Sequence, residues 1–301
     1  MKKSLFNNVS AWAISRLATK ACEIAYHNFP PVVRVETTNA CNSACLMCPH
    51  KDMRRPIGTM KQDLFERIVH ECAENRVRVL HLHNFGEPLI DKDFPARVAF
   101  AKQLGIRKVK FFTNASLLND EKIEALLDAG ADEIKVSVDS NSKEKFEAIR
   151  VGLKYDEVTG NIRRLIDARD KRGLKHPIVK LNFVLQGDNR HERELFLRQW
   201  EDVVDRIYFD DAHNWSGDSN ELGDNEVLHS CLRIWNTFTV LWDGRVALCC
   251  LDYDGEEILG DINTKSIKEV WCSQRLKDIR RMHSQRDFSS LPLCRNCSKI
   301  R

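Results

Sequence analysis

Val32-Val33-Arg34-Val35-Glu36-Thr37-Thr38-Asn39-Ala40-Cys41-Asn42-Ser43-Ala44-Cys45-Leu46-Met47-Cys48 sets the reading of the whole chain. Its first part is a short β-branched run, and its second is a polar loop with cysteines spaced C-x-x-x-C-x-x-C. A strand that empties into a ligand-bearing loop puts that loop at the strand's carboxyl end, where parallel α/β folds build their sites. Three thiolates hold three irons of a cubane and leave the fourth iron open to a small molecule. A structural zinc ion usually takes four ligands, with His50 available as the fourth here, and is the competing reading.

Outward from this stretch, short apolar runs alternate with longer amphipathic ones. The pattern predicts strands at 32–36, 77–83, 108–113, 133–138, 179–185 and 206–209, with helices at 61–75, 94–104, 120–129, 142–149, 157–171 and 191–200. Six strand–helix units point to an α/β fold with a parallel sheet, and polar residues at the strand ends then gather on one rim. Upstream, Leu5, Phe6, Val9, Trp12, Ala13, Leu17, Ala21 and Ile24 form one apolar stripe of a helix expected to lie against the body. Past residue 210 the alternation stops in a Gly, Asp, Asn and Ser-rich stretch. The expected organisation is an N-terminal amphipathic helix over residues 1–30, a core over 31–215 and a cysteine-bearing unit over 216–301.

Of 301 residues, 47 are basic and 44 acidic, and the formal net charge of +3 gives no electrostatic footprint for nucleic acid. No segment is long and apolar enough for a membrane span. The Met1-Lys2-Lys3 start resembles a signal peptide only until Arg16 and Lys20 interrupt the apolar run. Eleven cysteines without a signal peptide indicate a reducing, cytoplasmic setting and thiols available as ligands. Nine of them, all but Cys22 and Cys72, fall into the trio near residue 45 and a set from Cys231 to Cys297; Cys22, Cys72 and Cys272 read as packing residues.

The three-cysteine loop resembles the signature of the radical S-adenosylmethionine (radical SAM) superfamily, with Met47 at its variable apolar position. Further motifs follow at the expected strand ends. Gly86-Glu87-Pro88 resembles the family's G-G-E-P element with Phe85 in place of the first glycine, Thr113-Asn114 ends the third strand, and Ser137 and Asp139 lie at the fourth. Alone, these are a common turn and a common cap. The resemblance implies a partial (β/α)6 TIM-like barrel, a 4Fe-4S cluster on Cys41, Cys45 and Cys48, and S-adenosylmethionine as cofactor. It also implies that Gly86, Glu87 and Pro88 receive the methionyl ammonium, that Ser137 and Asp139 contact the ribose, and that Asn114 belongs to the same cofactor site. Arg150 would reach the methionyl carboxylate or the substrate.

Cys231, Gly244-x-x-x-x-Cys249-Cys250 and Cys294-x-x-Cys297 resemble a SPASM or twitch extension, a hairpin followed by a helix; Trp235, Leu259-Gly260-Asp261-Ile262 and Glu269-Val270-Trp271 match it too. The resemblance implies one auxiliary 4Fe-4S cluster on Cys231, Cys249, Cys294 and Cys297, and an all-cysteine zinc site is the alternative. The roles of Cys249 and Cys250 can be exchanged. The spare one is either a small buried side chain or a thiol that donates a hydrogen atom to a substrate radical. Size and layout are similar to aminoglycoside-pathway radical SAM dehydrogenases and epimerases, which implies hydrogen abstraction from a carbinol carbon of a sugar-like or aminocyclitol substrate. It also implies an electron donor such as flavodoxin or ferredoxin. Asp210, Asp211, His213, Asn214 and Trp215 are candidate substrate contacts, and His81 and His83 read as satisfied core histidines. A peptide or protein maturase and a non-catalytic zinc scaffold are the alternatives.

Overall fold

The computed structural model describes residues 16–187, 189–215, 229–295 and 297–300. Its frame is one nine-stranded sheet in which β1 (Val32–Val35), β2 (Val79–His81), β3 (Val109–Thr113), β4 (Glu133–Ser137), β5 (Ile178–Leu185) and β6 (Arg206–Asp211) pair in sequence order, all parallel. Between them run α2 (Gln62–Glu74), α3 (Phe94–Gln103), α4 (Asp120–Asp128), α5 (Lys143–Ile149), α6 (Tyr155–Lys171) and α7 (Arg193–Trp200), preceded by α1 over residues 16–25.

Period decides which side chains face inward. In β1, Val33 and Val35 are fully buried in the main hydrophobic core, whereas the alternate position, Arg34, lines a cavity. Along α2, Leu64, Phe65, Ile68, Val69 and Cys72 form the buried stripe. Asn119 and Ser142 cap α4 and α5 by accepting hydrogen bonds from the amides of Lys122 and Lys145, so local chemistry starts those helices where the pattern predicts.

The C-terminal unit does not build a sheet of its own. After the short α8 (Arg233–Asn236), strand β7 (Thr237–Val240) adds parallel to the free edge of β1, and β8 (Arg245–Ala247) and β9 (Ile258–Asp261) continue antiparallel from it. Gly244 turns that hairpin at φ +95°. After it come α9 (Ile267–Trp271), held by a Ser266–Glu269 capping box, then α10 (Gln274–Gln285) and α11 (Pro292–Arg295). Glu71 of α2 also accepts from the amides of Ile267 and Lys268, tying α9 to the core.

A buried ion pair joins the two parts. Arg55 Nη1 and Nη2 each donate to a carboxylate oxygen of Glu36 at 2.6 Å, while Arg55 Nε donates to the Tyr253 carbonyl. The same Glu36 accepts from the amides of Phe85 and Trp242, so one carboxylate serves β1, the turn after β2 and the hairpin.

Helix α1 corrects the expected apolar stripe. Leu17 and Ile24 are 70% and 69% exposed, Ala21 is also exposed, and Thr19 and Cys22 face inward instead. The helix is fastened just past its C-terminal end, where Trp271 Nε1 donates to the Tyr26 carbonyl. Leu5, Phe6, Val9, Trp12 and Ala13 lie outside the described residues. Among those described, no helix is long and apolar enough to cross a membrane.

Candidate active site

At the carboxyl ends of the parallel strands lies a cavity of about 440 Å³ lined by Cys41, Cys45 and Cys48. Their loop is gripped from two sides. The amides of Ala44 and Leu46 donate to the carbonyls of Val151 and Ile149, either side of Arg150, and Asn42 bonds both Asn114 Nδ2 and Ser116 Oγ after β3. Ser43 Oγ lies 3.4 Å from the sulfurs of Cys41 and Cys45. Burial raises the Cys41 thiol and pushes that of Cys48 up to about 12. Ligand formation therefore releases protons.

Gly86 makes the closest approach to this loop. At φ +84°, a Cβ there would stand 2.6 Å from the Ala40 carbonyl oxygen, and Glu87 N donates to that same oxygen. The Glu87 carboxylate lines the cavity but is held by Thr113 Oγ1 and by the amides of Leu89 and Asn114; burial pushes its pKa up to about 7. It therefore ties the turn after β2 to the end of β3 as well as facing the expected ammonium position. Pro88 is buried behind it at the start of a 3-10 turn and does not line the cavity.

Met47, Asn114, Ser137 and Arg150 line the cavity as expected. Asp139 does not. Fully buried, it takes Arg150 Nε at 2.7 Å and Nη2 at 2.5 Å on one oxygen and the Val184 amide on the other, so it positions Arg150 rather than meeting a ribose. Arg150 Nη1 points at Cys45 Sγ, 3.6 Å away, and the neighbouring anions hold its pKa above the ordinary arginine value despite burial.

Asp210, Asp211, His213 and Trp215 also line the cavity, with Trp215 donating to the Met47 carbonyl and packed on Phe85. Burial lowers His213 to about 4. Asn214 turns away from the site. Its backbone N and Oδ1 bond Ser298, and its role is to fasten the C-terminal segment. His50 is also engaged, through Nε2 and the Asn39 carbonyl at 2.6 Å, which leaves it a poor fourth ligand for zinc.

Cys231, Cys249, Cys294 and Cys297 gather in one small apolar cluster with Leu251, Phe288 and Ile300. The Leu251 amide donates to Cys249 Sγ at 3.4 Å, and burial pushes Cys294 up to about 12. Cys250 flanks the same cluster, yet it alone of the pair also lines the cavity of the first cysteine loop. Hydrogen bonding between the two sulfurs leaves the proton on Cys249 and lowers Cys250, with Arg34 and Arg233 adding to the effect. An iron-bound Cys249 has no proton to donate, which removes the largest cause of that lowering.

Both donor sets fit iron–sulfur clusters. The first loop offers three thiols, and the C-terminal set offers four beside Leu251, Phe288 and Ile300.

Several lining residues carry no motif: Arg34, His83, Lys135, Asn182 and Arg233. His81 Nε2 and His83 Nδ1 are buried without hydrogen-bond partners, so these are not the satisfied core histidines of the sequence reading. The available signal was a charge alternating with valines in Val33-Arg34-Val35, which a strand period of two aims at the barrel interior.

Comparison with known proteins agrees with this geometry. The profile of the Radical SAM superfamily matches residues 35–199, and that of SPASM, an iron-sulfur cluster-binding domain, matches 231–298. An S-adenosyl-L-methionine-dependent 2-deoxy-scyllo-inosamine dehydrogenase of Niallia circulans is 21% identical over 272 residues, 89% of this chain and 93% of its own length. A GTP 3',8-cyclase of Chlorobaculum tepidum is 32% identical over 193 residues; the match takes in 61% of this chain and only 56% of the cyclase. Among solved structures, BtrN in complex with AdoMet and 2-DOIA superposes with TM-score 0.64 at 19% identity, covering 90% of this chain and 93% of that one. SuiB of Streptococcus suis bound to precursor peptide SuiA gives TM-score 0.68 at 15% identity, covering 84% and 67%. These structural likenesses speak for the fold. The chain belongs to the radical SAM superfamily, with a C-terminal iron–sulfur domain, and its cofactors are S-adenosylmethionine and two 4Fe-4S clusters.

Proposed function

We propose that the protein removes a hydrogen atom from a carbinol carbon of a sugar-like or aminocyclitol substrate and returns one from Cys250 on the opposite side, inverting that centre. The observation that carries this reading is that Cys249 and Cys250 both flank the C-terminal thiol cluster, while Cys250 alone of the two also stands on the cavity wall. When bound, the cluster and S-adenosylmethionine supply a 5'-deoxyadenosyl radical as the abstracting species.

The chain's own residues do the rest. Cys41, Cys45 and Cys48 hold the cluster beside the cavity, and Arg150, fixed by Asp139, receives the methionyl carboxylate. Ser137 and Asn114 lie where nucleoside hydroxyls would be held. Phe85, Met47 and Trp215 form an apolar wall that excludes water from the radical. The Cys250 S–H bond breaks homolytically, its hydrogen atom joins the substrate carbon, and the resulting thiyl regains one electron and one proton. A reduced flavodoxin or ferredoxin is the electron source in this scheme.

Oxidation is the second reading, favoured by the match over 93% of the dehydrogenase's length. There the carbon radical loses an electron and a proton to give a ketone, and Cys250 contributes no hydrogen atom. Turnover in deuterated water separates the two. Epimerisation places one deuterium in the inverted product and fails in Cys250→Ala; a ketone formed equally by that variant would overturn the donor role.

A further inference from the structure

Arg34 occupies an inward position of β1, between two fully buried valines, and its guanidinium is incompletely satisfied. Nη1 donates to the His83 carbonyl at 3.1 Å, while Nε is sealed from solvent with no partner. Arginine does not shed its proton in proteins, so the charge stays and needs an anion. The fold provides one for three other buried arginines, Glu36 for Arg55, Asp91 for Arg97 and Asp139 for Arg150, whereas Arg280 is held by the Ile234 and Trp271 carbonyls against the Trp271 ring. Arg34 has no such anion among the described residues. Apart from burial, which lowers its pKa, the groups acting on it are Cys249, Cys250 and a second guanidinium, Arg233.

Arg233 reinforces the site. Its Nη1 lies 3.5 Å from Cys250 Sγ, and no carboxylate is among the main groups acting on it. Lys135 and Lys299 line the same cavity. The carboxylates facing it are already engaged: Glu87 with Thr113 and two amides, Asp210 with Lys135 at 3.5 Å, and Asp211 with Arg190 at 2.6 Å. Among the described residues lining the cavity, the charge left without an opposite partner is therefore positive, on Arg34 and Arg233. A polyamine would meet the wrong sign, and an anion would meet two forked donors.

We infer that the substrate carries an anionic group, a phosphate ester or a carboxylate on its polyol frame, received by Arg34 and Arg233 on the wall between His83 and Cys250. The inference rests on the reading of this cavity as the site of carbinol chemistry and narrows its substrate from aminated to acidic sugars. Bound there, the anion neutralises the exposed guanidinium edge and holds the sugar ring against Cys250.

The test uses anaerobically reconstituted holoenzyme with S-adenosylmethionine and one hexose frame in four charge states: glucose, glucosamine, glucose 6-phosphate and glucuronate. Affinities are measured by calorimetry at low ionic strength. At least one acidic sugar is expected to bind about ten-fold or more tighter than glucose, with glucosamine no tighter than glucose; which acid wins distinguishes phosphate from carboxylate. In Arg34→Met that preference disappears, and in Arg34→Lys part of it remains. Equal affinities, no binding of any acid, or a preference for glucosamine would overturn the inference without any variant having to fold. So would an Arg34→Met protein that keeps the acid preference while its auxiliary-cluster potential shifts, because Arg34 would then serve the cluster. Binding is read without turnover, so a ketone product would end the epimerisation reading and leave this inference standing.

Discussion

At the scale of single residues, Gly86 fixes how close the second strand's turn comes to the cysteine loop. Gly86→Ala combines positive φ with a Cβ 2.6 Å from backbone oxygen, so it should cost roughly 1–3 kcal/mol and displace Ala40 next to Cys41. Thermal melting together with iron content checks both consequences. Asp139→Asn tests the positioning of Arg150. The expected outcome is a rise of about ten-fold in the KM for S-adenosylmethionine, with two-cluster iron content retained; an unchanged KM would remove Asp139 from the site's support. The cysteine trio was legible because its spacing is the chemistry itself. Asp139 and Asn214 were misplaced because polar side chains at strand ends look alike in sequence, and only packing shows whether they face a ligand or a neighbouring loop.

Among elements, the hairpin and the barrel are coupled through Glu36 and Arg55. Arg55→Met leaves a buried carboxylate unpaired and should destabilise the protein by about 3–5 kcal/mol. Arg54→Ala, which removes a solvent-exposed guanidinium from Asp254 and Glu256, should change stability far less. Denaturant titration of both variants measures the contrast, and equal effects would refute the buried link. The six strands and six crossover helices of the core fall within a few residues of their sequence pattern, because burial on one helix face or alternate strand positions writes a local period. The pairing of β7 with β1 wrote none, since its register joins residues some 200 positions apart.

For the molecule as a whole, the barrel interior makes stability depend on pH. Burial holds His81 far below its ordinary value and His83 at about 3, so both are neutral when folded and take up protons when unfolded below about 6.5. Their contribution is complete above pH 6.5 and is lost as pH falls toward the folded values. Urea midpoints should therefore decline from pH 7 to 4.5, and His83→Phe should decline less steeply; an identical slope would contradict the assignment. The same interior joins the two cysteine sets, because Cys250 flanks the C-terminal thiols together with Cys249 but alone of the pair also lines the cavity of Cys41, Cys45 and Cys48. Iron and sulfide analysis of Cys249→Ala and Cys250→Ala after anaerobic reconstitution tests this division most directly. About eight irons should remain in Cys250→Ala and about four in Cys249→Ala; loss of a cluster from Cys250→Ala with full loading of Cys249→Ala would contradict it.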